Sequence, residues 1–259
     1  MRRGRKNITF ATKKSFITML TNTRGIVLHA IPYNDTYAIV AVYTEVFGRV
    51  SYLVSRSRGK KAAAQKALFM PFAVLDMEVE HLPKRDLHRI KDCRFCFPQT
   101  DTFCHPVKNV LALFLSEVLF RTVRNTEADT PLFLYIYKAI AFLETADRGI
   151  ANFHIAFLFH LLHYLGIYPD TRLQKDGTYF DLLNGEFTYL LPTHPHYLSA
   201  EESRAFARLL RINFENMSLY SFSRQDRVHI INRIFEYYRL HLPDFPEIKS
   251  LAVLQSLFD

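Results

Sequence analysis

The sequence predicts an α+β chain in two parts: a small five-stranded β-barrel, then an α-helical domain with a short β-hairpin insert. Three observations point there. Between residues 23 and 97, short β-branched and aromatic runs alternate with turn residues. Past Pro98 the apolar period lengthens to that of helices. Inside the helical part, Asn184-Gly185 falls between two apolar stretches, a strong hairpin signal. With 259 residues, 49% of them hydrophobic, and 23 Phe and 14 Tyr, the chain has enough apolar surface for one or two packed domains.

The first strand is TRGIVLHAIPY (23–33), closed by the turn-prone NDT. TYAIVAVYTEV (36–46) and RVSYLVS (49–55) follow, separated at Phe47-Gly48. VLDMEVEH (74–81) alternates, with Leu75, Met77 and Val79 on one face and Asp76, Glu78 and Glu80 on the other, as a half-buried strand does. A Pro-Lys-Arg-Asp turn then leads to LHRIKDCRFCF (87–97). Five strands with one long connection after the third suit a closed barrel of the OB type. Within that connection, AAAQKAL reads as a short helix across the barrel's end.

In the second part, VKNVLALFLSEVLFRTVRN (107–125) ends in Arg121 and Arg124, cations that complement a helix dipole. PLFLYIYKAIAFLETAD (131–147) starts with proline, a favoured first helical residue. NFHIAFLFHLLHYLG (152–166) is apolar all round, as a buried helix is, and ends at a glycine suited to a C-cap. Its three histidines, its glycine and Pro169 make it short for a bilayer. Ser199 with Glu202 and Ser223 with Asp226 form capping boxes for two more helices, the first running to about Leu210, and a last helix follows Pro246.

Charge is segregated. The chain carries a formal +8, made of +6 in residues 1–18, +5 in 19–97 and −3 in 98–259. A positive front half suggests a polyanionic partner. Residues 1–18 lack an apolar segment and any packing period, so they read as a basic arm that is disordered or, the preferred reading, precedes a start at Met19. Three cysteines, an odd number, argue against a disulfide framework and fit a reducing cytoplasm.

The connection SRSRGKKAAAQK (55–66) holds Arg56, Arg58, Lys60, Lys61 and Lys66 and no acid. Arg24 and Arg49 on the neighbouring strands can share its surface, and Tyr33, Tyr37, Tyr43 and Tyr52 are candidate stacking platforms. A basic barrel groove with aromatics is how OB barrels hold single strands, with strong salt dependence and little sequence preference. The bland alternative is a solvated loop and helix.

Other constellations carry less. Cys93, Cys96, Cys104 and His105 have a metal-like spacing, but strand residues three apart point to opposite faces, so buried small hydrophobes are expected instead. His154, His160 and His163 read as core histidines. No P-loop, G-x-S-x-G or dinucleotide fingerprint occurs, and glycines number only 8, which argues against an ATP-using or covalent enzyme and implies no cofactor. A metal-dependent nuclease would need clustered carboxylates, for which Asp76, Glu78 and Glu80 are the sole cluster near the basic stretch. An OB-fold RNA-binding factor would present the same barrel and loop.

The segments Gly25–Asp35, Tyr43–Arg49, Met70–Phe72, Leu162–Asp170, Tyr179–Phe187 and Tyr237–Leu251, in order and over about residues 20–255, resemble the bacterial DNA repair and recombination mediator family RecO. The resemblance implies a non-enzymatic protein with an OB domain at 19–98 and a helical domain at 99–259, with its hairpin insert at 170–198. It implies binding of single- and double-stranded DNA, strand annealing, work with RecR, and help in loading RecA onto DNA coated by single-stranded-DNA-binding protein, whose acidic C-terminal tail is a docking target. It implies a cytoplasmic, nucleoid-associated location and no membrane contact. Arg24, Arg49, Arg56, Arg58, Lys60, Lys61 and Lys66 match the family's basic barrel surface and are the expected phosphate contacts. In the helical domain, Arg121, Arg124, Arg227 and Arg233 are candidates for the acidic tail. Many members carry four zinc-binding cysteines in the insert. Residues 169–200 here contain none, so packing must hold the hairpin.

Overall fold

The computed structural model describes residues 20–56, 61–82, 85–124 and 127–257, without the side chains of Lys61 and Leu257. The basic arm 1–18, Arg58, Lys60 and the Lys61 side chain lie outside the described residues.

Period-two alternation builds the first half as the sequence predicts. Strands β1 (Leu20–Pro32), β2 (Tyr37–Thr44), β3 (Gly48–Ser55), β4 (Val74–Glu80) and β5 (Leu87–Phe95) close a barrel in the order β1-β2-β3-β5-β4. Helix α1 (Lys61–Leu68) lies between β3 and β4, where AAAQKAL predicts it. The long β1 serves two neighbours: its first half pairs with β4 and its second with β2, with a register irregularity between Val27 and His29. At Gly25, where both pairings meet, an added Cβ would sit 2.4 Å from the Met77 methyl and 2.6 Å from Val42, so a side chain there would displace part of the barrel core.

Strands β1, β2 and β4 bury both faces for part of their length. Val27, Val40, Val42, Val50, Leu75 and Met77 fill the barrel. Ile26, Leu28, Tyr43 and Val74 point outward into the core of the helical half. That half comprises α2 (Thr100–Cys104), α3 (Pro106–Thr122), α4 (Thr130–Thr145), α5 (Phe153–Tyr164), α6 (Ala200–Leu209), α7 (Arg224–His241) and α8 (Ser250–Leu257). The barrel wall is therefore one side of the helical core.

Local side-chain caps set the starts of α4, α6 and α7. The Asp129 carboxylate accepts from the Leu132 N–H at 3.0 Å and caps α4 ahead of Pro131. Ser199 with Glu202 and Ser223 with Asp226 form both reciprocal capping boxes. Two starts are capped from another helix. Glu144 on α4 accepts from the N–H groups of Asp101 and Thr102 at the start of α2. Glu117 on α3 accepts from those of Lys249 and Ser250 at the start of α8. Sequence periodicity does not predict α2, because its cap comes from a residue on a distant part of the chain.

The insert is a three-stranded sheet, ordered β7 (Glu186–Thr188), β6 (Tyr179–Asp181), β8 (Tyr197–Leu198), so the expected hairpin acquires a third strand. Asn184-Gly185 lies in a four-residue turn, because the Asp181 carboxylate accepts from the N–H groups of Leu183 and Asn184. Phe180 and Phe187 anchor the sheet in the core. Packing is not its sole attachment: His194 meets Asp181 at 3.2 Å and His196 meets Glu236 at 3.0 Å.

Helix α5 is buried along most of its length. His154 is fully buried, and burial together with the Arg227 charge lowers its pKa to about 3. His160 and His163 stack against Tyr135 and Tyr168. Cys93 packs at the barrel core, Cys96 donates to Asp76 at 3.2 Å and Cys104 is exposed. Among the described residues, no helix is long and apolar enough to cross a membrane, and no group of three or more His, Cys, Asp or Glu side chains is placed to hold a metal.

Candidate nucleic-acid interface

The barrel is closed weakly on one side. β3 and β5 meet in parallel at Ser51 with Leu87 and at Tyr52 with His88. Beyond that point they diverge, and α1 spans the opening. The result is a groove of about 400 Å³ between Tyr37 and Leu53 on one wall, Gln65 on α1, and Arg89 and Lys91 on the other wall. The Gln65 amide donates to the Ser55 carbonyl at 2.7 Å and ties α1 to the end of β3.

The turn between β1 and β2 forms one lip. The Asn34 carboxamide oxygen accepts from the N–H groups of Thr36 and Tyr37 at 2.9 and 2.8 Å, a side-chain-organised turn. Arg56 leaves β3 beside it. Its N–H donates to the Thr36 carbonyl, and its guanidinium donates to the Asn34 carbonyl at 3.2 Å. Arg56 and Lys66 are exposed at this end of the barrel. Among the described residues, no ion pair involves Arg56, Lys66 or Arg89. Tyr33 and Tyr37 stand 60% and 37% exposed on the same lip.

Two expected phosphate contacts lie elsewhere. Arg24 donates from Nε and Nη2 to the two Glu45 carboxylate oxygens at 2.8 and 2.7 Å, and its guanidinium lies over the Tyr137 ring at 4.9 Å. The hydrogen bonds to Glu45 hold its pKa above the ordinary arginine value. Arg49 donates to the carbonyls of Phe120 and Val123 at 2.9 and 3.2 Å and stacks on Phe120. Both arginines are engaged in joining the barrel to the helices. Alternation shows which face a strand residue takes, but it does not show that α3 and α4 cover that face. Two tyrosine platforms are lost as well: Tyr43 is buried under the helices, and Tyr52 is buried inside the barrel.

Arg89 and Lys91 are groove cations that the sequence reading passed over. They flank Ile90 with strand spacing, the signal already used for β4. At the bulge opposite Glu78 and Val79, Lys91 has no register partner on β4, and its ammonium reaches Glu80 at 3.1 Å. Asp76 on β4 is engaged as well: it accepts from Cys96 and lies 3.7 Å from Arg94. A solvated strand face accounts for the β4 carboxylates.

The four arginines of the helical half differ from one another. Arg233 pairs with Glu236 at 2.8 Å and Glu202 at 3.2 Å. It borders a small apolar notch of about 70 Å³ formed by Phe159, Phe206 and Ile230, with His229 also at its edge. Arg227 donates to the Phe222 carbonyl at 2.7 Å, and burial lowers its pKa. Arg124 donates to the carbonyls of Arg121 and Asp244. The Arg121 guanidinium lies 5.5 Å from the Phe120 ring centroid, with its Nε buried and without a hydrogen-bond partner.

Cations without carboxylate partners, set beside exposed aromatic rings along an open groove, suit a polyanion with stackable bases. Comparison with known proteins points the same way. Residues 19–98 match the family model described as recombination protein O N terminal, and residues 105–252 match recombination protein O C terminal. The chain is 44% identical over 242 residues to the DNA repair protein RecO of Bacteroides fragilis, covering 93% of this chain and 100% of that protein. It is 41% identical over 240 residues to the RecO of Phocaeicola vulgatus and 30% over 242 residues to that of Flavobacterium psychrophilum, with the same coverage.

Proposed function

Because the chain belongs to the recombination protein O family of DNA repair proteins, we propose that it binds single- and double-stranded DNA along the barrel groove, anneals complementary strands and, with RecR, helps load RecA onto DNA coated by single-stranded-DNA-binding protein. The observation that carries the DNA-binding step is the groove lined by Tyr37 and Arg89, with Arg56, Lys66 and the exposed Tyr33 at the same end of the barrel and, among the described residues, no ion pair on these three cations. Arg58, Lys60 and Lys61 belong to the same connection and add to its charge.

Annealing of this kind needs no bond to be made or broken in the protein. Two strands repel through their phosphates. A cationic groove screens that repulsion, releases condensed counterions and raises the local strand concentration. Tyr33 and Tyr37 add sequence-tolerant stacking. The reading therefore assigns no catalytic residue and no cofactor, and it places the protein in the cytoplasm at the nucleoid. The acidic tail of the single-stranded-DNA-binding protein is proposed to dock at the helical half, where an apolar end group fits the Phe159–Phe206–Ile230 notch beside Arg233 and His229.

The test is annealing of complementary oligonucleotides across a salt series. The wild type is compared with a variant carrying Arg56→Ala, Arg58→Ala, Lys60→Ala and Lys61→Ala, and with the same variant plus Arg89→Ala. Progressive loss of annealing with a shallower salt slope supports the groove. Equal rates and slopes for all three proteins would remove it. RNA competitors added to the same reaction decide whether DNA is the preferred strand.

A further inference from the structure

We propose that the C-terminal end of α3, where it meets the barrel, is a second phosphate contact through which a bound nucleic-acid strand continues from the groove onto the helical half. This rests on the DNA-binding reading above. Phe120 is the centre of the site. The Arg49 guanidinium lies 4.9 Å from its ring centroid, that of Arg121 lies 5.5 Å from it, and the His29 ring meets it at 4.8 Å, tilted by 36°. Arg124, one turn on, holds the Arg121 and Asp244 carbonyls at 3.2 and 2.8 Å.

Helix capping alone does not account for this cluster. Arg49 satisfies the Phe120 and Val123 carbonyls, and Arg124 satisfies that of Arg121. Arg121 takes no part in the cap, and its Nε has no hydrogen-bond partner although it is buried. Nor is the charge fully neutralised. Among the described residues, no ion pair involves Arg49, Arg121 or Arg124, whereas Arg24, Arg94, Arg172, Arg204 and Arg233 all have carboxylate partners. Glu117 lies one turn before Arg121 and its charge acts on it, but its oxygens accept from Lys249 and Ser250 at the start of α8, and one carboxylate does not balance three guanidinium groups.

Two guanidinium groups over one ring, with Arg124 close enough to repel Arg49, repel one another and are stabilised by an anion. The surface leading away from them favours a nucleic-acid strand over a peptide. His29 belongs to β1, and two residues further along the same strand Ile31 is 44% exposed, followed by the exposed Tyr33 at the groove lip. A strand crossing the outer face of β1 and β2 would meet phosphate-binding cations at the junction and aromatic rings at the lip. The apolar notch suited to a peptide's end lies elsewhere, between α5, α6 and α7.

The experiment measures binding of fluorescein-labelled oligothymidine to the full chain across a salt series. The proteins are the wild type, the double variant Arg121→Gln/Arg124→Gln, the charge-keeping Arg121→Lys/Arg124→Lys, and the groove variant Arg56→Gln/Arg89→Gln. The glutamine pair is expected to bind roughly three- to tenfold more weakly at moderate salt, with the log–log slope shallower by about 1.4, the loss of two single-strand phosphate contacts. The lysine pair is expected to recover the slope, which a purely structural role of the guanidinium groups would not allow. If only the groove variant weakens binding, the junction contact is wrong and the groove reading stands. If neither weakens it, both fall. If the glutamine pair binds DNA normally but loses a labelled acidic peptide ending in phenylalanine, the surface serves a protein partner and the proposal is overturned.

Discussion

Arg24 on β1 and Glu45, just past the end of β2, form a two-point hydrogen-bonded ion pair, Nε to Oε2 at 2.8 Å and Nη2 to Oε1 at 2.7 Å, beneath the rings of Phe133 and Tyr137 on α4. The pair joins barrel to helices, and it predicts an effect on stability with little effect on DNA. Arg24→Gln should lower unfolding stability by about 1–2 kcal/mol, the combined scale of a partly exposed two-point pair and a cation–π contact. Urea denaturation measures it. The salt slope of oligonucleotide binding should stay at the wild-type value, and a shallower slope would return Arg24 to the DNA surface.

The tyrosines divide by exposure. Tyr37→Ala removes a ring at the groove lip and should weaken single-strand binding by about 1–3 kcal/mol, the scale of one base stacked on an aromatic side chain. Tyr43→Phe removes only a buried hydroxyl that donates to the Asp129 carbonyl at 3.4 Å. It should leave binding unchanged. Fluorescence anisotropy with oligothymidine separates the two, and equal losses would contradict the assignment.

His154 predicts a pH dependence of stability. Burial and the Arg227 charge hold its folded pKa at about 3, well below the ordinary histidine value. Between that ordinary value and the folded one, the unfolded chain binds a proton that the folded chain does not. The stability contribution is therefore complete above roughly pH 6.5 and is lost as pH falls, at up to about 1.4 kcal/mol per pH unit. Urea midpoints at neutral and mildly acidic pH should show the decline. His154→Asn should start less stable and decline less steeply. An unchanged slope in the variant would assign the acid sensitivity to another group.

How much was legible follows residue by residue. Leu75, Met77 and Val79 alternate with acids, and β4 forms where they stand. Ser199 with Glu202 and Ser223 with Asp226 cap the helices they precede. These features are local: the residue that sets the conformation lies within one turn or one strand of its effect. The α2 helix, the third strand of the insert and the role of Glu117 were not legible, because each depends on a partner far along the chain.

The amino-acid sequence by itself determined the barrel, the helices and the basic stretch between β3 and β4, since period, capping and charge are carried by neighbouring residues. Which cations face an open groove was decided only by the tertiary structure. Arg24 and Arg56 look alike in the sequence, yet α4 covers the first while the divergence of β3 from β5 exposes the second. A guanidinium offers its charge to a phosphate when no carboxylate of the fold has paired with it first, and that depends on which distant element packs beside it.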